Sequence, residues 1–308
     1  MAKPLDPEEI TAGGAPAVAE IPPATRMGPV HLSVGDLERS VDYYRHALGL
    51  RLSAEDGLRA TLGVEGTDLL VLMEEPGVLS SAGYCGLYHF ALLVPERADL
   101  ARWLSHAAQN GVRLTGMADH YVSEALYLSD PDDHGIEIYW DRPRELWEGL
   151  VASRMTTARL DVKDLMNQIG SGQPEPFPGL PAGTSMGHVH LRVSTIPCTT
   201  AFYRDTLGFG LMATFGNEAA FLSAGGYHHH LGANTWESAG NPPAPPGTAR
   251  LLQMNVVLPT AADVERLADR VAGTGQEATH LEGGVLVHDP SGIAVVLRTE
   301  DQASSSRP

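Results

Sequence analysis

Three groups of residues in this chain have the types and surroundings to do chemistry. His228, His229 and His230 stand in a row inside GGYHHHLGANTW (225–236). Glu137 sits between apolar neighbours in IEIYW (136–140). His89 and His188 stand in segments of alternating apolar residues, LYHFALLV (87–94) and GHVHLRV (187–193). A carboxylate among apolar neighbours is costly to bury alone, so it must pair or bind a metal. Two neutral imidazoles and one carboxylate are the donor set of a non-haem Fe(II) centre, which leaves positions open for substrate, dioxygen or water.

The elements that must position these groups come from a repeat. GPVHLSVGDLERSVDYYRHALGLRL (28–52) is matched by GHVHLRVSTIPCTTAFYRDTLGFGL (187–211), at an offset of 159. LYHFALLVPERADLARWLSHAAQNGV (87–112) is matched by LLQMNVVLPTAADVERLADRVAGTG (251–275), with Pro95 against Pro259. Each copy opens with the period-two pattern of a strand and continues as an amphipathic helix. In the odd copies a Leu-Gly stop, with Gly49 and Gly208 as caps, ends the helix. Strand pairs around DP turns follow in 125–140 and 285–299. Four strand–helix–strand–strand–strand modules result, at about 27–82, 86–142, 186–240 and 249–299. The fold class is α+β.

The candidate ligands break this repeat. His188 in the third module is matched by Pro29 in the first. His89 in the second is matched by Gln253 in the fourth, and Glu137 by Val296. One odd and one even module therefore carry the donor set, and their twins lack it. His31 and His190 occur in both odd modules, which fits a wall or structural role, with His190 the better wall candidate.

The bulk numbers set the frame. At 308 residues the chain has room for about two cores. The formal charge of −17 gives no general attraction to nucleic acid or to an anionic membrane. Cys85 and Cys198 make no disulfide framework, which suits a reducing cytoplasm. No apolar run reaches the length of a membrane span or a signal-peptide core. Residues 1–26 read as a flexible arm, 27–142 and 186–300 as the two module pairs in sequence, and 301–308 as a tail. Between the pairs, 143–185 reads as a linker with a helix at ELWEGLVASRM and a Pro/Gly-rich run.

Through GHVHLRV (187–193), FLSAGGYHHHLGANTW (221–236), DHYVSEALYLSDPDDHGIEIYW (119–140) and FYRDTLGF (202–209), residues 27–300 resemble the vicinal-oxygen-chelate superfamily. That superfamily holds glyoxalase I, fosfomycin and bleomycin resistance proteins and extradiol dioxygenases. The histidine run and DHYVSEALY most resemble its catechol 2,3-dioxygenase-like extradiol branch. The resemblance implies βαβββ modules paired into two half-open barrels, with His89, Glu137 and His188 as ligands of Fe(II), for which Mn(II) could substitute. In the best-known extradiol enzymes the single-His module comes before the His-plus-Glu module. Here the order is reversed, so the metal barrel is expected from modules 2 and 3, within one chain or across two.

The resemblance also implies residue roles. His229 is the acid–base residue, on the last strand of its module, with His228 and His230 turned to the other face as candidate pocket residues beside His190. Tyr127 binds a substrate hydroxyl, and His120 is the second pocket histidine. The activity implied is ring cleavage of a catechol by O2 next to the hydroxyls, to a 2-hydroxymuconic semialdehyde-type acid. The implied partners are a small aromatic diol and O2, with a homo-oligomer expected. Two other readings are a metal-dependent isomerase or resistance transferase, and a non-catalytic binder of aromatic drugs. Leu231 stands near the fourth-ligand position where an isomerase commonly has a carboxylate.

Overall fold

The computed structural model describes residues 10–14, 16, 18–170 and 176–300. A short strand β1 (Ile10–Ala12) comes first. The first repeat is β2 (Arg26–Val34), α1 (Leu37–Tyr43), β3 (Arg51–Asp56), β4 (Arg59–Val64) and β5 (Thr67–Glu74). The second is β6 (Gly86–Leu93), α2 (Arg97–Gln109), β7 (Leu114–Asp119), β8 (Ser123–Ser129) and β9 (Gly135–Asp141). Two short helices, α3 (Val151–Arg154) and α4 (Val162–Met166), lie in the connection. The third repeat is β10 (Ser185–Arg192), α5 (Ile196–Thr200), β11 (Gly210–Phe215), β12 (Ala219–Ser223) and β13 (Leu231–Asn234). The fourth is β14 (Leu251–Leu258), α6 (Ala261–Gly273), β15 (Ala278–Leu281), β16 (Gly284–His288) and β17 (Ala294–Thr299).

Local chemistry sets the helix ends. Asp36, Thr195 and Thr260 accept backbone N–H bonds as N-caps, and Glu96 forms a capping box with Asp99. In the first and third repeats the helix widens into a π turn, at Tyr44–Leu48 and Ala201–Thr206. Gly49 and Gly208 follow at φ 80° and 92°, a backbone conformation that glycine adopts without strain.

The strands form two sheets. One has nine strands in the order β1-β11-β12-β13-β10-β6-β9-β8-β7, drawn from β1 and the second and third repeats. The other has eight, β15-β16-β17-β14-β2-β5-β4-β3, drawn from the first and fourth. In each sheet two repeats meet through antiparallel first strands, β6 with β10 and β2 with β14. Two buried hydroxyl–carboxylate bonds tie the sheets together. Tyr44 donates to Asp130 at 2.8 Å and Tyr203 to Asp289 at 3.2 Å. One apolar cluster, including Leu32, Tyr44, Phe90, Trp103, Phe209 and Leu297, joins both halves.

Two segments differ from the sequence reading. Described residues of the expected flexible arm are held in place: β1 pairs antiparallel with β11, covering what would otherwise be an open sheet edge. Ile21 is buried and its N–H bonds to Gly208 O at 2.9 Å. Residues 1–9, 15 and 17 of the arm, part of the Pro/Gly-rich run (171–175) and the tail 301–308 lie outside the described residues. The single helix expected at ELWEGLVASRM is broken into a 3-10 turn (Arg144–Leu146) and α3, with Gly149 at φ 72° between them.

Candidate metal centre and cavity

Strand register brings the donor set together. In the β6–β10 pair His190 stands opposite His89, and His188 lies diagonally from it. Glu137 is level with Ala91 across β6–β9, and Tyr127 is level with Glu137 across β8–β9. Side chains alternate along a strand, so all five project from one face. A bulge between Met186 and His188 re-aims the latter. Gly187 beside it has no Cβ, which would otherwise clash with the Tyr139 hydroxyl.

Three ligand-type atoms converge. His89 Nε2 is 3.3 Å from His188 Nε2 and 3.0 Å from Glu137 Oε2, which is 3.1 Å from His188 Nε2. Three donors on one face of an octahedral ion, each about 2.1 Å from it, lie about 3.0 Å apart. Burial opposes ionisation of Glu137, but the two histidines outweigh it and hold the carboxyl well below the usual carboxylate range. Burial keeps the His188 imidazole below its ordinary value against the pull of Glu137. An anionic carboxylate beside the neutral His188 imidazole leaves a buried negative charge that a divalent cation would balance. The residues fit such an ion. Among the described residues they are the one His/Cys/Asp/Glu group that converges in this way.

The set opens into a cavity of about 560 Å³ lined by both polar and aromatic side chains. His120 and Tyr127 stand on its wall, 2.6 Å apart from Nε2 to Oη. His120 Nδ1 is 2.7 Å from Thr156 O, a pure acceptor, so Nδ1 carries the proton. In the neutral ring Nε2 therefore accepts, and the Tyr127 hydroxyl donates to it. His190 is also on the wall, accepts from Asn234 Nδ2 at 3.0 Å, and is kept neutral by burial. Its ring occupies the space left by Gly232, where a Cβ would lie 2.7 Å from Nδ1.

The histidine run is not in a strand. It lies in the 224–230 connection between β12 and β13, which turns through Gly225 and Gly226 at φ 59° and 69°. Only His229 reaches the cavity wall, with its ring 4.2 Å from that of His188. His228 and His230, expected as pocket residues, are not on the wall. His228 is fully buried against Asp141, and its Nε2 is 2.8 Å from Oδ1. His230 accepts the Ala224 N–H at 3.1 Å, and burial lowers its pKa to about 3. Sequence reasoning missed Asp141, Tyr227, Phe221, Asn234 and Trp236. Asp141 carried a weak signal, four residues after Glu137, but its partner His228 is far away in sequence.

The duplicated modules, the two curled sheets and the buried donor set define a glyoxalase-type metal-site protein. The chain belongs to the Glyoxalase/Bleomycin resistance protein/Dioxygenase superfamily, whose family model matches residues 26–138 and 185–297. It is 39% identical over 274 residues to catechol-2,3-dioxygenase of Bacillus subtilis (strain 168), covering 86% of this chain and 94% of the relative. Its fold is shared with glyoxalase I from Zea mays, at TM-score 0.56 and 18% identity over 92% of this chain and 95% of that one. A solved structure from Bacillus subtilis subsp. subtilis str. 168 overlays at TM-score 0.63 and 16% identity, over 94% of this chain and 92% of that one. No helix among the described residues is long and apolar enough to cross a membrane.

Proposed function

We propose that the chain is an extradiol dioxygenase that opens a catechol ring beside its hydroxyls with O2, giving a 2-hydroxymuconic semialdehyde-type acid. The observation that carries this reading is the convergence of His89, Glu137 and His188 at a cavity whose wall also bears Tyr127, His120, His190 and His229. The relative named catechol-2,3-dioxygenase supports it. The three donors would hold Fe(II), and Mn(II) suits the same set. When bound, the metal supplies Lewis acidity toward the two hydroxyls and a path for electrons between ring and dioxygen.

The chain's own residues handle the protons. Tyr127 donates to His120, so the lone pairs of its oxygen are available to accept from a substrate hydroxyl. His190, fixed by Asn234, walls the site as a neutral ring. His229 accepts a substrate proton and returns it as the O–O bond breaks. Both oxygen atoms enter the product, so no further reductant is needed.

The test is anaerobic loading with Fe(II), followed by catechol and air. Oxygen uptake with a yellow ring-opened product, absent without iron and absent in Glu137→Ala, is expected. A loaded protein that consumes no oxygen with any simple catechol contradicts the reading.

A further inference from the structure

We infer that Asp141 and His228 are positioning residues that hold His229 in one tautomer, its proton on Nδ1 and the lone pair of Nε2 toward the cavity. With both rings neutral, the hydrogen-bond chain leads to it. Asp141 ends β9 and offers two acceptor oxygens: Oδ1 is 2.8 Å from His228 Nε2, and Oδ2 is 2.7 Å from the Tyr227 hydroxyl. A carboxylate only accepts, so His228 Nε2 carries a proton. The other nitrogen of a neutral His228 ring then accepts. It stands 2.8 Å from His229 Nδ1, which must donate. His229 Nε2 is left bare, and among the described residues nothing hydrogen-bonds to it. His229 is the one member of this chain on the cavity wall.

The carboxylate is itself braced. The Tyr139 hydroxyl is 2.7 Å from that of Tyr227, which donates onward to Asp141. His228 is packed against the Tyr227 ring, with centroids 4.0 Å apart, and against Trp147 at 5.5 Å. The relay is a product of module pairing: Asp141 comes from the second repeat, and the two histidines come from the third. The eight-stranded sheet has no counterpart. There Glu65 and Gly66 alone join β4 to β5, where residues 224–230 join β12 to β13.

The kinetic consequence rests on the extradiol reading; the tautomer does not. The first measurement is histidine side-chain nitrogen NMR on the full-length protein loaded with Zn(II), a diamagnetic ion that takes the same donors. His228→Gln and His229→Gln variants assign the signals. The expected result is an Nε2–H tautomer for His228 and an Nδ1–H tautomer for His229. An Nε2–H tautomer at His229 overturns the inference. The second measurement is turnover of catechol by the Fe(II)-loaded Asp141→Asn variant, whose amide would donate to His228 and reverse both rings. By analogy with orienting carboxylates elsewhere, kcat should fall by about 10²–10⁴-fold. KM and metal content should stay within about threefold, and Asp141→Glu should recover part of the loss. Unchanged kcat overturns the inference, as does a loss explained by lost metal or raised KM. If the wild type cleaves no catechol, the extradiol reading fails, while the NMR result still decides the tautomer.

Discussion

In the nine-stranded sheet His89 stands opposite His190; in the eight-stranded sheet Gln253 stands opposite His31. Glu137 is level with Ala91 in the first, and Val296 with Asn255 in the second. The residue level with His190 on the neighbouring strand is Gly232, and the one level with His31 is Val71. The four repeats thus share strand order, first-strand pairing and helix-cap positions; the two sheets differ in the side chains on one face, in the added β1, and in the 224–230 connection that carries His229. Both also keep the aspartate that opens its DP turn, accepts two backbone N–H bonds and binds a tyrosine from another repeat. What recurs in both halves holds the fold. What occurs in one half builds the cavity.

The two sheets differ most at the donor set. Glu137→Ala should lose the metal and lower turnover by more than the roughly 10–100-fold typical of an outer-sphere change. The matched Val296→Ala should leave metal content unchanged. Elemental analysis and oxygen uptake on both variants check this. Next is Gly232→Val, which gives the nine-stranded sheet the residue of its twin. Its Cβ would press on the His190 ring, so turnover should fall at least about tenfold with the metal retained. His190→Ala and His31→Ala sharpen the contrast. The first should slow turnover by about tenfold or more, and the second should leave it unchanged.

Smaller effects should be shared by the halves. Tyr44→Phe and Tyr203→Phe each leave a buried carboxylate short of one donor and should cost about 1–3 kcal/mol in denaturant unfolding. The last effect concerns pH. Burial raises the Asp289 carboxyl from its ordinary value to about 6 despite its hydrogen bonds. The folded state therefore binds this proton more tightly than the unfolded chain. The stability it contributes is full below about pH 4 and lost as pH rises through about 6. Asp289→Asn should thus gain thermal stability relative to the wild type as pH rises over that window.

Much of this was legible in the sequence, because duplication prints each module twice. Alternating apolar residues and the helix stops marked the four repeats. Deleted twins marked His89, Glu137 and His188, since a ligand-type residue needed only in one half stands out against a match that cannot take its place, here Gln253, Val296 and Pro29. The histidine run resisted. It lies in a loop turned by Gly225 and Gly226, so strand alternation does not govern it, and His228 is held by Asp141, 87 residues away. The pairing of β1 was hidden for a related reason: three residues against a sheet edge carry too little pattern to read. The break at Gly149 likewise depends on one backbone conformation within an otherwise helical composition.

The central claim is that one of the two sheets alone holds a metal, through Glu137 and the two histidines. Its most direct test is the metal content of Fe(II)-loaded protein, measured side by side for wild type, Glu137→Ala and Gln253→Ala. One iron per chain in the wild type and in Gln253→Ala, with none retained by Glu137→Ala, is the predicted result. Two ions per chain, or a full ion kept by Glu137→Ala, would contradict it.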